Sequence, residues 1–251
     1  MRARGVAGLT RLPVTEEIAG SNPVGPAKRK HYRNIVLFLC YNLVMNKNIE
    51  LYNKYFGKTG FERLHLFEAL RDRFGLKSAI YPGSFVHITP AFVFQKTAFI
   101  DNDRRVEKFF NDKEVVEMVI RRKQYSQEPD VFTSQQSYEE EVAVPKGSFD
   151  LLISQYAGFV SQAGKRYLQI GGILLANNSH GDAAMAYVDP DYELIAVTNH
   201  SNGVWRINNK DLSSYFIPKK GIHPTKTEIQ ASTKGVGYTK SAANYIFRKV
   251  S

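Results

Sequence analysis

In Ser78–Asp103, SAIYPGSFVHITPAFVFQKTAFIDND, a short apolar strand leads through a tight turn holding Pro82 and Gly83 into an amphipathic segment of one to two turns. A second apolar strand follows and ends in an acidic tip. That order is the first half of a nucleotide-binding βαβ unit, in which a ligand lies across the carboxyl ends of two parallel strands. Gly83 has no Cβ, so backbone at the turn can approach a ligand closely. Asp101 or Asp103, about 20 residues beyond the turn, sits where a carboxylate can accept hydrogen bonds from a ribose diol. The stretch has no G-x-G-x-x-G, and the same residues also read as a plain strand–turn–helix with surface aspartates.

Downstream, Arg104–Asn111 (RRVEKFFN) predicts a crossover helix with Val106, Phe109 and Phe110 inward. Asp112 can cap a continuation, KEVVEMVIRRKQY, whose Val115, Val116, Met118, Val119 and Ile120 form the buried side. Pro129–Ser134 (PDVFTS) predicts a third strand, and Ser137–Glu141 a polar linker. Phe149–Gln155 (FDLLISQ) is the continuous apolar run of a central strand buried on both faces. Ala157–Gln169 predicts the next helix, ended by Gly171 and Gly172. Ile173–Ala176 (ILLA) is a fifth strand, followed by the polar loop Asn177–Asp182 (NNSHGD). Glu193–Thr198, Gly203–Ile207 and Tyr245–Phe247 supply further strands, spaced closely as in an antiparallel edge. Strands that alternate with helices and end in antiparallel pairs predict an α/β, doubly wound, Rossmann-like fold: a mostly parallel central sheet, helices on both faces and an antiparallel C-terminal edge.

Upstream, the apolar positions of Asn46–Gly75 recur at three- and four-residue spacing, giving one helix to about Phe56, a break at Gly57–Gly60, and a second helix ending at Gly75. Thr59 and Glu62 form a capping box for the second, and His65 on it reads as packed or partly solvated. Residues 1–30 have neither periodicity and too little apolar surface to offset the entropy of ordering, so disorder is expected there. The segment GVAGLTRLPVTEEIAGSNPVGPA resembles a transfer RNA gene translated as protein, and Met45 looks like a natural start. We therefore expect residues 1–44 to be a non-native extension and 45–251 to be a single domain, with N-terminal helices at 45–75 and a core at 76–251.

A chain of 251 residues suits one sizeable core. Hydrophobic content of 43% with no run of about 20 apolar residues points to a soluble globular protein and no membrane partner. The single Cys40 excludes an intramolecular disulfide and fits a reducing, cytoplasmic setting. Of the net charge of +10, half falls within 1–44, where seven basic residues stand against Glu16 and Glu17. What remains is an ordinary solubility charge, which weakens the case for nucleic acid. His180–Gly181–Asp182 and Asp189–Pro190–Asp191 lack helical H-x-x-x-H spacing and a third ligand, so no metal is expected.

Five pieces stand in one order: SAIYPGS, TAFIDND, QQSYEEEVAVPKGSFDLLISQYAG, KRYLQIGG and ILLANN. Together, over roughly Asn46–Asn178, they resemble the class I S-adenosylmethionine-dependent methyltransferases. The resemblance implies that Tyr81, Gly83 and Ser84 lie on the cofactor turn, and that Asp101, with Asp103 as its neighbour, is the ribose acid. It places Gln136, Ser137 and Tyr138 beside the adenine, and Ser154, Gln155 and Tyr156 where the family has its substrate-facing tetrapeptide. Tyr81–Pro82 replaces the usual acidic residue before the first glycine, and SQYA matches no amino-group methyltransferase motif.

Methyl transfer is a displacement that positioning and desolvation accelerate, so no nucleophilic residue is compulsory. If a base is required, His87 after the first turn and His180 after the fifth strand are the candidates, and Tyr156 could orient an acceptor hydroxyl or amine. Asp182 either fixes the tautomer of His180 or caps the helix that follows. The leading expectation is a methyltransferase that uses S-adenosylmethionine on a small-molecule acceptor. The alternatives are a cofactor-binding module without catalysis, and a nucleic-acid methyltransferase with Trp205, Arg206, Tyr215, Phe216 and the tail lysines Lys219, Lys220, Lys226, Lys234 and Lys240 as a basic wall.

Overall fold

A computed structural model describes residues 46–232 and 235–251 of the chain. The expectations for 1–44, the start at Met45 and Lys234 lie outside the described residues. In chain order the helices are α1 (Lys47–Tyr52), α2 (Leu64–Phe74), α3 (Pro90–Val93), α4 (Val106–Phe110), α5 (Lys113–Arg122), α6 (Val160–Ala163), α7 (Asp182–Tyr187) and α8 (Lys226–Ala231). The strands are β1 (Ser78–Pro82), β2 (Lys96–Ile100), β3 (Asp130–Ser134), β4 (Phe149–Ser154), β5 (Leu168–Ala176), β6 (Tyr192–Ser201), β7 (Val204–Asn208) and β8 (Asn244–Lys249).

The strands form one sheet in the order β3-β2-β1-β4-β5-β8-β6-β7. Strands β1 to β5 pair in parallel, while β8 is antiparallel to both β5 and β6, and β7 to β6. The chain therefore adopts the expected doubly wound, mostly parallel sheet with an antiparallel C-terminal edge. The order of winding reverses between β1 and β4, the switch point outside whose strand ends open α/β sheets bind ligands.

Alternation along the strands explains the two-sided burial. Ala79 and Tyr81 of β1, Leu151 and Ile153 of β4, and Ile173 and Leu175 of β5 join the core under α1, α2 and α5. Ile80, Leu152 and Leu174 join the core on the other face, with α7 and the C-terminal segment. Asp150 interrupts the apolar run of β4 for a local reason. Its Oδ2 accepts the Lys77 and Ser78 N–H groups at 2.8 and 2.9 Å and the Ser78 hydroxyl at 2.9 Å, fixing the entry to β1.

Four local expectations are corrected. Thr59 does not cap α2: its hydroxyl donates to the carbonyls of Tyr55 and Phe56, both at 3.0 Å, and closes the π-helical turn Asn53–Gly57. Buried Tyr52 instead holds Glu62, donating to its Oε1 at 2.5 Å, and Arg122 lies 2.7 Å from the same oxygen. The predicted helix over 157–169 is reduced to α6 and the 3-10 turn Lys165–Tyr167, since Gly158 takes positive φ ahead of it and Leu168 is already extended as the start of β5. Gly171 and Gly172 lie inside β5, not at a helix end. Phe149 pairs with Leu168 but Leu151 with Ile173, so the glycines sit in a bulge. Val116 and Ile120 of α5 are exposed and not buried, because β3 is the last strand on that side.

Candidate functional site

A cavity of about 280 Å³ opens at the switch point. Gly83 from the turn after β1, Asp101 and Asn102 from the tip of β2, Ser137 and Tyr138 from the β3–β4 connection, and Tyr156 and Ala157 after β4 form its walls. The turn is tied to the neighbouring strand by the Gly83 N–H, which donates to the Ile100 carbonyl at 2.7 Å. Asp101 is held at both oxygens: Oδ2 accepts the Phe85 N–H at 2.7 Å and Oδ1 the Asp103 N–H at 2.8 Å. A carboxylate has about four lone-pair positions, so two remain for hydroxyl donors.

Gly83 has φ +71°, and a Cβ there would lie 2.1 Å from the Ala157 Cβ. The direction a Cβ would take is filled by the loop after β4, while Gly83 itself lines the cavity. That loop is held by Tyr138, whose hydroxyl donates to the Ala157 carbonyl, and turns through positive φ at Tyr156 and Gly158.

Tyr156 is 55% exposed. Its hydroxyl accepts from Arg63 at 3.2 Å, and the guanidinium lies 5.2 Å from its ring centroid. The same guanidinium donates to Gln155 Oε1. From there a buried relay runs from Gln155 Nε2 to Asn244 Oδ1 at 3.0 Å and from Asn244 Nδ2 to Thr198 Oγ1 at 2.9 Å. The entry to α2 is thus anchored across the tips of β4, β8 and β6.

On the other side of Tyr156 lies a second cavity of about 360 Å³. Asn177, Asn178 and Ser179 after β5 form one wall, and Val236, Tyr238, Ser241, Ala242, Ala243 and Tyr245 the other. Asn177 Oδ1 accepts the Ser179 N–H at 3.2 Å, which fixes the amide orientation, and the Ser179 hydroxyl at 2.8 Å. With its proton committed there, Ser179 Oγ must accept from His180 Nδ1, 3.0 Å away. His180 therefore carries its proton on Nδ1 and keeps an open lone pair on Nε2, at an exposed position beside the cavity rim.

Of the residues singled out from sequence, Gly83, Asp101, Ser137, Tyr138 and Tyr156 come together in the first cavity. Tyr81, Ser84, His87, Ser154 and Gln155 are buried and already partnered. His87 stacks on Phe56 with ring centroids 4.1 Å apart. Its Nε2–H donates to the Glu62 carbonyl at 3.0 Å and its Nδ1 accepts the Tyr81 hydroxyl at 3.2 Å. Burial holds its pKa down to about 3, and burial raises that of Tyr81, so both stay neutral. Asp103 faces Arg105, with contacts of 2.8 and 2.7 Å that hold its carboxyl down at about 2. Asp182 neither touches His180 nor caps α7 from outside. It is the first residue of that helix, buried, and accepts from Ser154 and Ser161.

Sequence reasoning missed Asn102 and Ala157, and with them Tyr238 and Tyr245, which chain distance hides. Tyr215 and Phe216 are buried, Phe216 stacking on Tyr187 at 3.9 Å, so these two aromatics of the expected basic wall are not on the surface, while Trp205 is half-buried. Lys226 donates to Gln162 at 2.7 Å and Lys240 lies 4.1 Å over the Tyr215 ring. Among the described residues no three metal-ligating side chains gather, and no helix is long and apolar enough to cross a membrane.

No protein-family model matches the chain, and no curated protein matches it. Solved structures do. A methyltransferase from Geobacter sulfurreducens is 11% identical, over 92% of this chain and all of that one, with a TM-score of 0.44. A candidate S-adenosyl-L-methionine-dependent methyltransferase from Methanococcus maripaludis is 17% identical over 52% of this chain, with a TM-score of 0.39, and the chain spans 61% of its length. The [4+2]-cyclase SpnF is 13% identical, over 45% of this chain and 44% of that one, with a TM-score of 0.33. The chain is by its own topology a doubly wound, Rossmann-like α/β protein with a cavity at the switch point, and solved structures similar to it include methyltransferases and this cyclase.

Proposed function

We propose that the protein binds S-adenosylmethionine across the ends of β1 and β2 and methylates a small molecule held in the neighbouring cavity. The observation that carries this reading is Asp101, a carboxylate fixed at the strand tip by two backbone N–H groups, with lone pairs left over in a cavity wall. The donor set suits a nucleoside. Asp101 would take the ribose hydroxyls, the half-buried Tyr138 ring would pack on the base, and Ser137 and Asn102 would offer polar contacts to its rim. When bound, the cofactor supplies an electrophilic methyl group. Tyr156, the wall shared by both cavities, would orient the acceptor and exclude water. His180, its tautomer set by Ser179, has the lone pair that can take up an acceptor proton.

Calorimetric titration of the full chain with S-adenosylhomocysteine tests the reading. Binding that weakens by about 10-fold or more in Asp101→Ala is expected, since hydrogen bonds to a charged group contribute about 1.5–3 kcal/mol each. Wild-type affinity in the variant, or no binding at all, removes the proposal.

A second reading, a cofactor binder without turnover, draws support from Ala157 over Gly83 and from the absence, among the described residues, of a histidine in either cavity wall. Transfer from labelled cofactor into small molecules of a cell extract distinguishes the two.

A further inference from the structure

Helix α5 carries more apolar surface than its own sheet can cover. Val115, Met118 and Val119 are buried in the core, whereas Val116 and Ile120 stay 45% and 46% exposed. With Val131 of β3, 38% exposed, they line an apolar groove of about 260 Å³ between the helix and the sheet edge. Strand β3 is the last on that side, so the strand that would close the groove is missing.

The edge of β3 is open in a definite phase. The Asp130 N–H donates to the Gln95 carbonyl at 2.9 Å, and the Ser134 carbonyl accepts the Asp101 N–H at 3.1 Å. Successive residues of a strand turn their N–H and C=O to opposite sides, so Asp130, Phe132 and Ser134 bond to β2 while Val131 and Thr133 point both groups outward. Among the described residues those outward groups have no partner. Natural sheet edges are usually guarded by lysine, proline or a bulge within the strand. Strand β3 has none of these: its register with β2 runs unbroken from Asp130 to Ser134, and Asp130 is its only charged residue. The opposite edge differs, since β7 has Arg206 in mid-strand and its Trp205 and Ile207 pack against the core.

We propose that a second copy of the chain docks on this edge, β3 pairing antiparallel with its mate about a two-fold axis at Phe132. Such an axis sets Val131 of one copy opposite Thr133 of the other as the hydrogen-bonded type of antiparallel pair, so every outward N–H and carbonyl of both strands finds a partner. An axis at Val131 would instead set Thr133 against Pro129, which has no N–H to give. The charges agree with the axis at Phe132. Asp130 falls opposite Ser134, and Glu117 on α5 is already balanced by Lys113 at 3.8 Å and Arg121 at 3.6 Å. Val131 and Thr133 both line the groove, so the added strand lies beside Val116 and Ile120 and covers them. Pairing at this edge is independent of what the two cavities bind.

Sedimentation velocity of the full chain should show a reversible monomer–dimer equilibrium with a dissociation constant of roughly 1–50 µM, the range for a small interface. Ile120→Lys and Val116→Lys, both at exposed positions, should each weaken it by about 10-fold or more with the far-UV circular dichroism unchanged. Val131→Pro removes an outward N–H and no bond to β2, and should weaken the dimer equally. Hydrogen exchange read at single amides should be slow at Val131 and Thr133 together in the dimer, and fast at both in Ile120→Lys. A monomer at about 100 µM, a dimer indifferent to all three substitutions, slow exchange at these amides in a monomer, or slow exchange at only one of them overturns the inference.

Discussion

Asp182 accepts the hydroxyl of Ser154 at 2.5 Å, joining the last residue of β4 to the first of α7. The same carboxylate takes the Ser161 hydroxyl at 2.5 Å and the Ser161 N–H at 3.0 Å. Burial nevertheless pushes its pKa up, from 3.8 to about 6, against these hydrogen bonds. Between those values the folded protein holds a proton that the unfolded chain releases. The stabilising contribution is therefore fully present below about pH 4 and is lost as pH rises through 6, a change of about 3 kcal/mol. Urea denaturation of wild type and Asp182→Asn from pH 4 to 7 should show the wild type losing ground to the variant as pH rises. A stability difference that stays flat over this range would refute the assignment.

His87 has the opposite sign. Its folded pKa lies near 3, depressed by burial, against 6.5 for the free side chain. Stability should fall as pH drops below 6.5, because the unfolded chain gains the proton first. The imidazole C2–H resonance should not titrate between pH 8 and 5. His87→Phe leaves the Glu62 carbonyl and the Tyr81 hydroxyl without their partner, and should lower stability by about 1–3 kcal/mol at pH 8. That gap should narrow on acidification.

Gly83→Ala adds a methyl group 2.1 Å from the Ala157 Cβ, at a backbone angle that costs a non-glycine residue about 1–2 kcal/mol by itself. A total loss of about 2–4 kcal/mol is expected once the overlap is included. In the double variant with Ala157→Gly the overlap disappears but the backbone strain stays, so roughly half the loss should return. Additive single effects in that cycle would mean that the turn and the loop after β4 do not touch.

Ser179→Ala frees His180 to exchange tautomers. Nitrogen-15 imidazole shifts should report a proton on Nδ1 in the wild type and a mixture in the variant. His180→Ala should lower turnover by about 100-fold or more if the ring takes the acceptor proton. Unchanged turnover would leave His180 a surface residue.

The parallel half of the sheet was legible because β1, β2, β4 and β5 each carry a buried apolar stretch, while β3 at the edge showed only Val131 and Phe132 between polar residues. Asp101 was legible for a similar reason: a strand tip about 20 residues past a turn has few places to be. His87, Ser154 and Gln155 lie in the same stretches, yet they point inward and are saturated by Glu62, Asp182 and Asn244. Spacing along a strand gives the face a side chain leaves from, but not the partner it meets.

The amino-acid order by itself determined the alternation of strands and helices and the carboxylate at the β2 tip, since both follow from short-range periodicity and chain stiffness. Only the tertiary structure decided that β8 enters between β5 and β6, that Ala157 fills the space over Gly83, and that Tyr238 and Tyr245 complete a cavity begun at Asn177. Those outcomes depend on close packing between segments far apart in the chain, where a single Cβ or hydroxyl settles the fit and no local pattern carries the information.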